Sequence, residues 1–175
     1  MPINNKIKFA AINIVLITIS DTRKEENDKS GKILEKRIID LGHNVSSKII
    51  IKDNFSLIKK TILNFANQKL VDAIITTGGT GLTSRDSTPE ALEKISNKII
   101  GGFGELFRQI SFSKIGTSTI QSRAMGAVVK GTYVFSLPGS PNACKDAWDE
   151  ILKYQLDIRH KPCNFVEIMG RLNEK

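Results

Sequence analysis

The sequence has 175 residues, of which 40% are hydrophobic and 25% are charged. These proportions predict one globular domain over residues 1–175, and they exclude a disordered chain, a collagen-like repeat and a disulfide scaffold. Lys and Arg together number 26 against 18 Asp and Glu, which gives a formal net charge of +8. That charge favours an anionic partner such as nucleic acid, an acidic membrane surface or a phosphorylated small molecule, although a lysine-rich solvated surface has the same balance.

An apolar run at residues 9–19 follows Lys6 and Lys8, which gives the N-terminal region some features of a signal peptide. The run is rich in β-branched residues, contains Asn13 and lacks a small-residue cleavage site, so we interpret it as a buried parallel strand. No stretch of the sequence is long and apolar enough to span a bilayer. We therefore expect a cytoplasmic protein without membrane contact, whose cysteines, Cys144 and Cys163, are reduced and take no part in chemistry.

Strands alternate with helices along the first half of the chain. Three apolar runs predict strands over residues 11–19, 45–51 and 73–77. A helical stripe ends at Gly42, which suits a helix C-terminus, and Asn54 is placed to cap the next helix. This alternation predicts an α/β fold in which a mostly parallel sheet is covered on both faces.

Two proline-containing segments predict helix starts in the second half. Thr88 suits an N-cap, Pro89 the first helical position and Glu90 the positive end of the helix dipole, and Ser140-Pro141 repeats the first two signals. Apolar runs joined by a Lys-Gly turn predict a hairpin with one antiparallel edge strand, over residues 127–129 and 132–137. A helical apolar stripe, too large for one small core, predicts a surface for self-association and consists of Phe103, Leu106, Phe107 and Ile110, beside Phe112.

Polar segments follow the predicted strands at the points where the strands end. In open α/β sheets, ligands bind outside the carboxyl ends of the strands. The glycine-rich loop at residues 78–81 and two capped helix starts offer backbone N–H groups to phosphates, while Asp53 and Asp86 offer the hard oxygens that Mg²⁺ prefers. Taken singly, the loop also fits a ligand-free turn, Asp53 a helix cap and Asp86 a solvated loop acid. Their convergence on one edge favours an enzyme that handles a nucleotide or a phosphate.

Several common site patterns are absent from the sequence. The glycine loop lacks the Gly-Lys of a P-loop and the glycine spacing of a dinucleotide fingerprint, and no G-x-S-x-G elbow occurs. The spacing of His43, Cys144, His160 and Cys163 matches no common zinc pattern. No helix carries a basic stripe with interleaved aromatics, so we expect no nucleic-acid partner.

Residues 74–91, IITTGGTGLTSRDSTPEA, strongly resemble the signature of the molybdopterin-binding domain family. That family includes the molybdenum cofactor biosynthesis proteins MoaB and MogA and a domain of gephyrin. The resemblance extends over residues 12–165, and further matching segments are DKSG at 28–31, GFGE at 102–105, GTSTIQSRA at 116–124 and LPGS at 137–140. The GTST segment and RHKPCNF at 159–165 resemble the MoaB branch.

The resemblance implies a three-layer α/β/α fold of the MogA-like type that assembles as a homotrimer or homohexamer. It also implies adenylyl transfer, in which the terminal phosphate of molybdopterin attacks the α-phosphorus of ATP, with Mg²⁺ as cofactor, and adenylyl-molybdopterin and pyrophosphate form. A separate molybdate-inserting protein would take the product. The MoaB branch leaves open a non-catalytic molybdopterin-binding or carrier protein, and related domains leave open a nucleotide pyrophosphatase.

The resemblance also assigns site residues. Asp53 and Asp86 match the two catalytic acids of the family and would hold Mg²⁺. The positions implied for phosphate, nucleotide and pterin binding are Gly78, Gly79, Thr80, Gly81, Thr88, Pro89, Glu90, Ser122, Arg123, Pro138, Gly139 and Ser140.

Overall fold

A six-stranded sheet is the centre of the fold in the computed structural model, which describes residues 3–174. Its strands are β1 (Asn13–Ile19), β2 (Asn44–Ile51), β3 (Ala73–Thr77), β4 (Lys98–Ile100), β5 (Met125–Val129) and β6 (Thr132–Leu137). The strand order is β2-β1-β3-β6-β5-β4. Strands β2, β1, β3 and β6 are parallel, whereas β5 is antiparallel to both of its neighbours. The mostly parallel sheet and the hairpin are confirmed, and the short β4, which was not predicted, pairs outside β5.

Helices cover both faces of this sheet, as the three-layer prediction requires. They are α1 (Lys29–Leu41), α2 (Phe55–Ala66), α3 (Thr88–Ile95), α4 (Gly101–Ile115), α5 (Pro141–Ala147), a π-helical stretch (Trp148–Leu152), α6 (Lys153–Gln155) and α7 (Phe165–Ile168). Three 3-10 turns lie at Glu25–Asn27, Gly116–Gln121 and Met169–Arg171. One apolar cluster joins the sheet to α1, α4 and α5, and a second joins the opposite face to α2 and α3.

The N-terminal apolar run is the central strand β1. Alternate residues face opposite clusters, since Leu16 packs in the first and Val15 and Ile17 pack in the second. Burial on both faces explains why the run is almost continuously apolar. Within residues 3–174, no helix has the length and apolar character that crossing a bilayer requires.

Helix ends follow the sequence signals with one correction. Gly42 has a left-handed φ of 101° at the end of α1, and the side chain of Asn54 accepts a hydrogen bond from the Leu57 N–H at the start of α2. The prediction that Thr88 caps α3 is wrong, because Ser87 occupies the N-cap and Thr88 is the first helical residue. The hydroxyl of Thr88 instead donates to the Gly78 carbonyl, at 3.0 Å, which ties the helix start to the preceding loop.

Candidate functional site

The loops that follow four parallel strands meet at one edge of the sheet. The Ser20 N–H donates to the Ile51 carbonyl at 2.8 Å, and the Gly78 N–H donates to the Leu137 carbonyl at 3.0 Å. These bonds join the end of β1 to that of β2 and the end of β3 to that of β6. The sequence prediction that the four segments converge is therefore confirmed.

The glycine loop, residues 78–81, requires glycine for both conformation and space. Gly78 has φ 106° and Gly79 has φ 64°, a region that side chains disfavour. A Cβ at Gly78 would lie 2.1 Å from the Ile19 carbonyl oxygen, and one at Gly79 would lie 2.2 Å from Thr88 Oγ1 and 2.6 Å from Asp53 Oδ2. The loop therefore sits against β1 on one side and brings its bare backbone against the Asp53 carboxylate on the other.

Asp53 follows β2 and reaches over the glycine loop. Its Oδ1 accepts hydrogen bonds from the Ser87 N–H at 3.3 Å and the Ser87 hydroxyl at 3.0 Å. Among the described residues, no hydrogen bond engages Oδ2, the oxygen that faces Gly79. Burial raises the pKa of Asp53 above its ordinary value, the Ser87 bonds oppose this, and the negative charges of Asp86 and Asp21 add to it.

Asp86 approaches the same loop from the segment that leads into α3. Its Oδ2 accepts from the Thr83 hydroxyl at 2.7 Å and from the Thr83 N–H at 3.0 Å. A Cβ at Gly81 would lie 2.6 Å from the same oxygen, so the two acids sit over loop positions only two residues apart. The Thr83 hydroxyl bond is the main cause that lowers the pKa of Asp86, and this carboxylate is therefore the more readily ionised of the two.

A first pocket beside the glycine loop, the Asp53 pocket, has a volume of about 410 Å³. It contains two acids and two cations, and its lining residues are Asp21, Lys52, Asp53, Asn54, Phe55, Ser84, Arg85 and Ser87. The guanidinium of Arg85 donates to Asp21 at 2.7 Å, and Asp21 in turn accepts from the Asp53 N–H at 3.3 Å. Mixed charges of this kind suit a polyphosphate that carries a metal ion.

A second pocket, the Ser122 pocket, has a volume of about 310 Å³ and is more apolar. Its lining residues are Thr80, Gly81, Phe107, Ser111, Ile115, Gln121, Ser122, Pro138, Gly139, Ser140 and Ala143. The Ser122 hydroxyl is buried and has no partner among the described residues, whereas the Ser140 hydroxyl accepts from the Ala143 N–H at 3.2 Å. The structure thus brings six of the candidate residues into one pocket, namely Thr80, Gly81, Ser122, Pro138, Gly139 and Ser140.

Of the remaining candidates, Thr88 and Arg123 support the loop from behind, and Pro89 and Arg123 line a third pocket of about 490 Å³, which Ser122 also borders. Thr88 is fully buried beneath the loop, and Pro89 follows it in α3. Arg123 donates to the carbonyls of Thr80 at 3.2 Å and Asp86 at 3.1 Å, and also contacts the Gly81 carbonyl and Glu90. Its guanidinium is therefore occupied in holding the loop.

Ser87 is a site residue that was not predicted. It lies between Asp86 and Thr88 at the N-cap of α3, and only the fold shows that it reaches Asp53, which follows β2. No local sequence signal marks such a contact, because it joins residues 34 positions apart.

The residues at the glycine loop fit a magnesium ion that is shared with a substrate. Among the described residues no hydrogen bond engages Asp53 Oδ2, and burial together with the like charge of Asp86 raises the pKa of Asp53, a penalty on its ionised form that a cation would offset. Within residues 3–174, no three acidic, His or Cys side chains are grouped as a complete metal site. Mg²⁺ typically binds one or two carboxylates and takes water and substrate phosphates as its other ligands.

Comparison with known proteins gives a consistent result. A family model described as "Probable molybdopterin binding domain" matches residues 15–158. Molybdenum cofactor biosynthesis protein B of Escherichia coli strain K12 is 43% identical over 158 residues, which are 90% of this chain and 93% of that protein. A protein named probable molybdopterin adenylyltransferase from Methanocaldococcus jannaschii is 40% identical over 143 residues, 78% of this chain and 85% of that protein.

Solved structures agree with the sequence matches. The fold resembles a crystal structure of molybdenum cofactor biosynthesis protein B with a TM-score of 0.85 and 38% identity, over 95% of this chain and 98% of the other. The region that the family model matches, residues 15–158, contains the whole glycine loop and both Asp53 and Asp86. The family resemblance in the sequence is confirmed: the chain belongs to the molybdopterin-binding domain family, together with the relatives named molybdenum cofactor biosynthesis protein B.

Proposed function

We propose that this chain is an enzyme of molybdenum cofactor biosynthesis that transfers the adenylyl group of ATP to the terminal phosphate of molybdopterin. One observation carries the proposal: two carboxylates lie over Gly79 and Gly81 of a single glycine loop, and Asp53 lines one pocket while Gly81 lines another. The printed names of the Escherichia coli and Methanocaldococcus jannaschii relatives support it.

In this proposal, the triphosphate of ATP lies along the glycine loop towards the Asp53 pocket. Lys52 and Arg85 line that pocket and carry positive charges that attract phosphates. The pterin and its phosphate take the Ser122 pocket, where the Ser122 hydroxyl lacks a partner among the described residues and where α5 begins after Ser140. The two substrates then meet at Gly81, which lines the Ser122 pocket and contacts Asp86.

The reaction requires positioning more than covalent help from the protein. An oxygen of the molybdopterin phosphate attacks the α-phosphorus of ATP, a new P–O bond forms, the bond to the β-phosphate oxygen breaks, and pyrophosphate leaves with the electron pair. Bound Mg²⁺ would neutralise charge on the phosphates. Asp53 and Asp86 would hold the ion, while Ser87 and Thr83 fix the two carboxylates by hydrogen bonds.

Self-association belongs to the same proposal. Four large apolar side chains of α4 and the following 3-10 turn are exposed, namely Leu106, Phe112, Ile115 and Ile120. Of the predicted surface, Phe103 and Phe107 are instead core residues and Ile110 is partly buried against the same core, whereas Leu106 and Phe112 are exposed. The exposed set supports self-association, and the family resemblance makes a homotrimer or homohexamer the proposed assembly. We place the protein in the cytoplasm in this proposal, because ATP is supplied there. A molybdate-inserting protein is the proposed recipient of the product.

The proposal is tested by pyrophosphate release from ATP and Mg²⁺, with and without molybdopterin. An adenylyltransferase releases pyrophosphate only when molybdopterin is present. A carrier protein binds molybdopterin but releases none, and a nucleotide pyrophosphatase turns over ATP with water alone. Asp86→Asn keeps the side-chain shape and should slow release by about 100-fold, because one metal-orienting charge is lost.

A further inference from the structure

The wall of the Ser122 pocket is held by hydrogen-bond donors from several elements. We call Pro138–Ser140 the wall segment, since all three residues line that pocket. The carbonyl before the segment, that of Leu137, accepts from the Gly78 N–H, and the Pro138 carbonyl accepts from the Thr77 hydroxyl at 3.0 Å. The Gly139 carbonyl accepts two side-chain bonds. Three consecutive carbonyls are thus fixed from neighbouring elements.

Arg23 is the longest-range donor to this segment. Its Nη2 donates to the Gly139 carbonyl at 2.5 Å, across 116 residues of sequence, and the Ser30 hydroxyl donates to the same oxygen at 2.8 Å. The backbone of Arg23 is itself fixed, because its N–H donates to the Ser20 hydroxyl at 3.1 Å. The loop after β1 therefore holds the loop after β6, and we call the two bonds from Arg23 and Ser30 to the Gly139 carbonyl the clamp.

A buried carboxylate lies beside the arginine as its counter-charge. Asp28 is fully buried and lies 3.6 Å from Arg23 Nη1. It accepts from the Thr18 hydroxyl at 2.6 Å and from the Gly31 N–H at 3.0 Å, and a Cβ at Gly31 would lie 2.1 Å from its Oδ2. A buried charge requires a partner, and the guanidinium is the cation beside it. The DKSG segment at 28–31 thus builds the base of the clamp.

We propose that Arg23 is a positioning residue that acts through Gly139 and shapes the Ser122 pocket for the pterin. This role rests on the proposed function. The wall segment lines the Ser122 pocket but not the Asp53 pocket, so release of the clamp affects one substrate more than the other. Gly139 also approaches the glycine loop, since a Cβ there would lie 3.4 Å from the Gly78 Cα, but Gly78 is held separately by the bond from its N–H to the Leu137 carbonyl, which does not involve Arg23.

The first test compares Arg23→Ala with Arg37→Ala. Arg37 is a matched control because it also bridges two elements, pairs with Asp149 at 3.0 Å, and is 24% exposed against 26% for Arg23. We expect Arg23→Ala to raise the KM for molybdopterin about tenfold and to leave the KM for ATP within about twofold, the scale of one lost charged hydrogen bond. We expect Arg37→Ala to change neither. Equal effects of Arg23→Ala on both KM values would overturn the proposal.

The second test does not depend on turnover. Hydrogen exchange followed by mass spectrometry should show faster exchange in the wall segment of Arg23→Ala, with exchange in α2 unchanged. Ser30→Ala removes the second donor to the Gly139 carbonyl and leaves Arg23 beside the Asp28 charge. It replaces Arg23→Ala in this test if that variant folds poorly. We expect it to speed exchange in the same peptides by a smaller amount. Unchanged exchange in both variants would overturn the clamp. An inactive wild type with a loosened wall in the variants would instead reject only the proposed function.

Discussion

Replacing Asp53 with asparagine keeps the shape of the side chain and removes one negative charge from the glycine loop. The amide oxygen can still accept from the Ser87 N–H and hydroxyl, which lie at 3.3 and 3.0 Å in the wild type. What is lost is the carboxylate oxygen that faces Gly79. Adenylyl transfer should therefore slow by about 100-fold or more, roughly 2.7 kcal/mol of activation free energy, because one charge that orients the metal is gone.

The same change should not weaken the fold. Burial and the charges of Asp86 and Asp21 raise the pKa of Asp53, which means that its ionised form is disfavoured in the folded state. The Asp53→Asn substitution removes that penalty, so the free energy of unfolding at pH 7 should stay equal or rise by less than about 1 kcal/mol. Activity and stability are thus expected to move in opposite directions.

The pH dependence follows from the sign of the shift. Above the raised pKa of Asp53, the wild type bears the full penalty of the buried charge. As the pH falls through that pKa and then through the ordinary value of 3.8, the penalty disappears because Asp53 is protonated in both states. The stability advantage of Asp53→Asn should accordingly be present at pH 7 and lost near pH 3.

The assay measures pyrophosphate release and the midpoint of thermal unfolding for wild type, Asp53→Asn and Asp72→Asn. Asp72 is a matched control, since it is also half-buried and accepts one backbone bond, from the Asn13 N–H at 2.7 Å, but lies at the opposite end of the sheet. The control should keep wild-type rates. If Asp53→Asn retained full activity, or lost activity only because it unfolded, the role assigned to Asp53 would be refuted.

Four further substitutions probe other parts of the structure. Gly79→Ala should lower stability by about 2 kcal/mol and abolish most transfer, because its φ is 64° and its Cβ would meet Thr88 Oγ1 at 2.2 Å; denaturant unfolding and release rates check this. Cys144→Ala and Cys163→Ala should both keep normal turnover, since burial raises the pKa of Cys144 to about 11 and Cys163 is exposed far from the glycine loop in sequence; steady-state kinetics of each variant would detect a catalytic thiol. Phe112→Asp should weaken self-association, whereas a wild type that light scattering finds only at 19.4 kDa would contradict the proposed oligomer.

The sheet could be predicted from the sequence because its central strands are buried on both faces. A strand such as β3 is buried at every position and consists of apolar and β-branched residues, and the predicted and observed bounds of Ala73–Thr77 agree. Helix N-caps such as Asn54 and Ser140 could also be predicted, since the side-chain oxygen of each accepts a hydrogen bond from the backbone N–H three residues later. The three-residue β4 was missed because its pairing with β5 is its only support within the described sheet, and no periodicity shows over so short a run.

The edge of the sheet that carries the candidate site could be predicted from the sequence, but the role of each residue within that site could not. Topology alone brings the loops after parallel strands together, and motif and resemblance point to Asp53 and Asp86. Contacts between distant loops decide the rest. Arg123 and Thr88 turn out to hold loop carbonyls, and Arg23 reaches Gly139, all through bonds that span 10 to 116 residues. Such bonds depend on tertiary packing and leave no local pattern.

Transfer of label from ATP carrying radioactive phosphorus at the α-position tests the central claim most directly. Purified wild-type protein, Mg²⁺ and molybdopterin should yield label that co-migrates with the pterin, in an amount equal to the pyrophosphate released. Omission of molybdopterin should leave the label in ATP. Label recovered as free AMP from the start of the reaction, or label that stays in ATP while molybdopterin is bound, would contradict adenylyl transfer at the Asp53–Asp86 site.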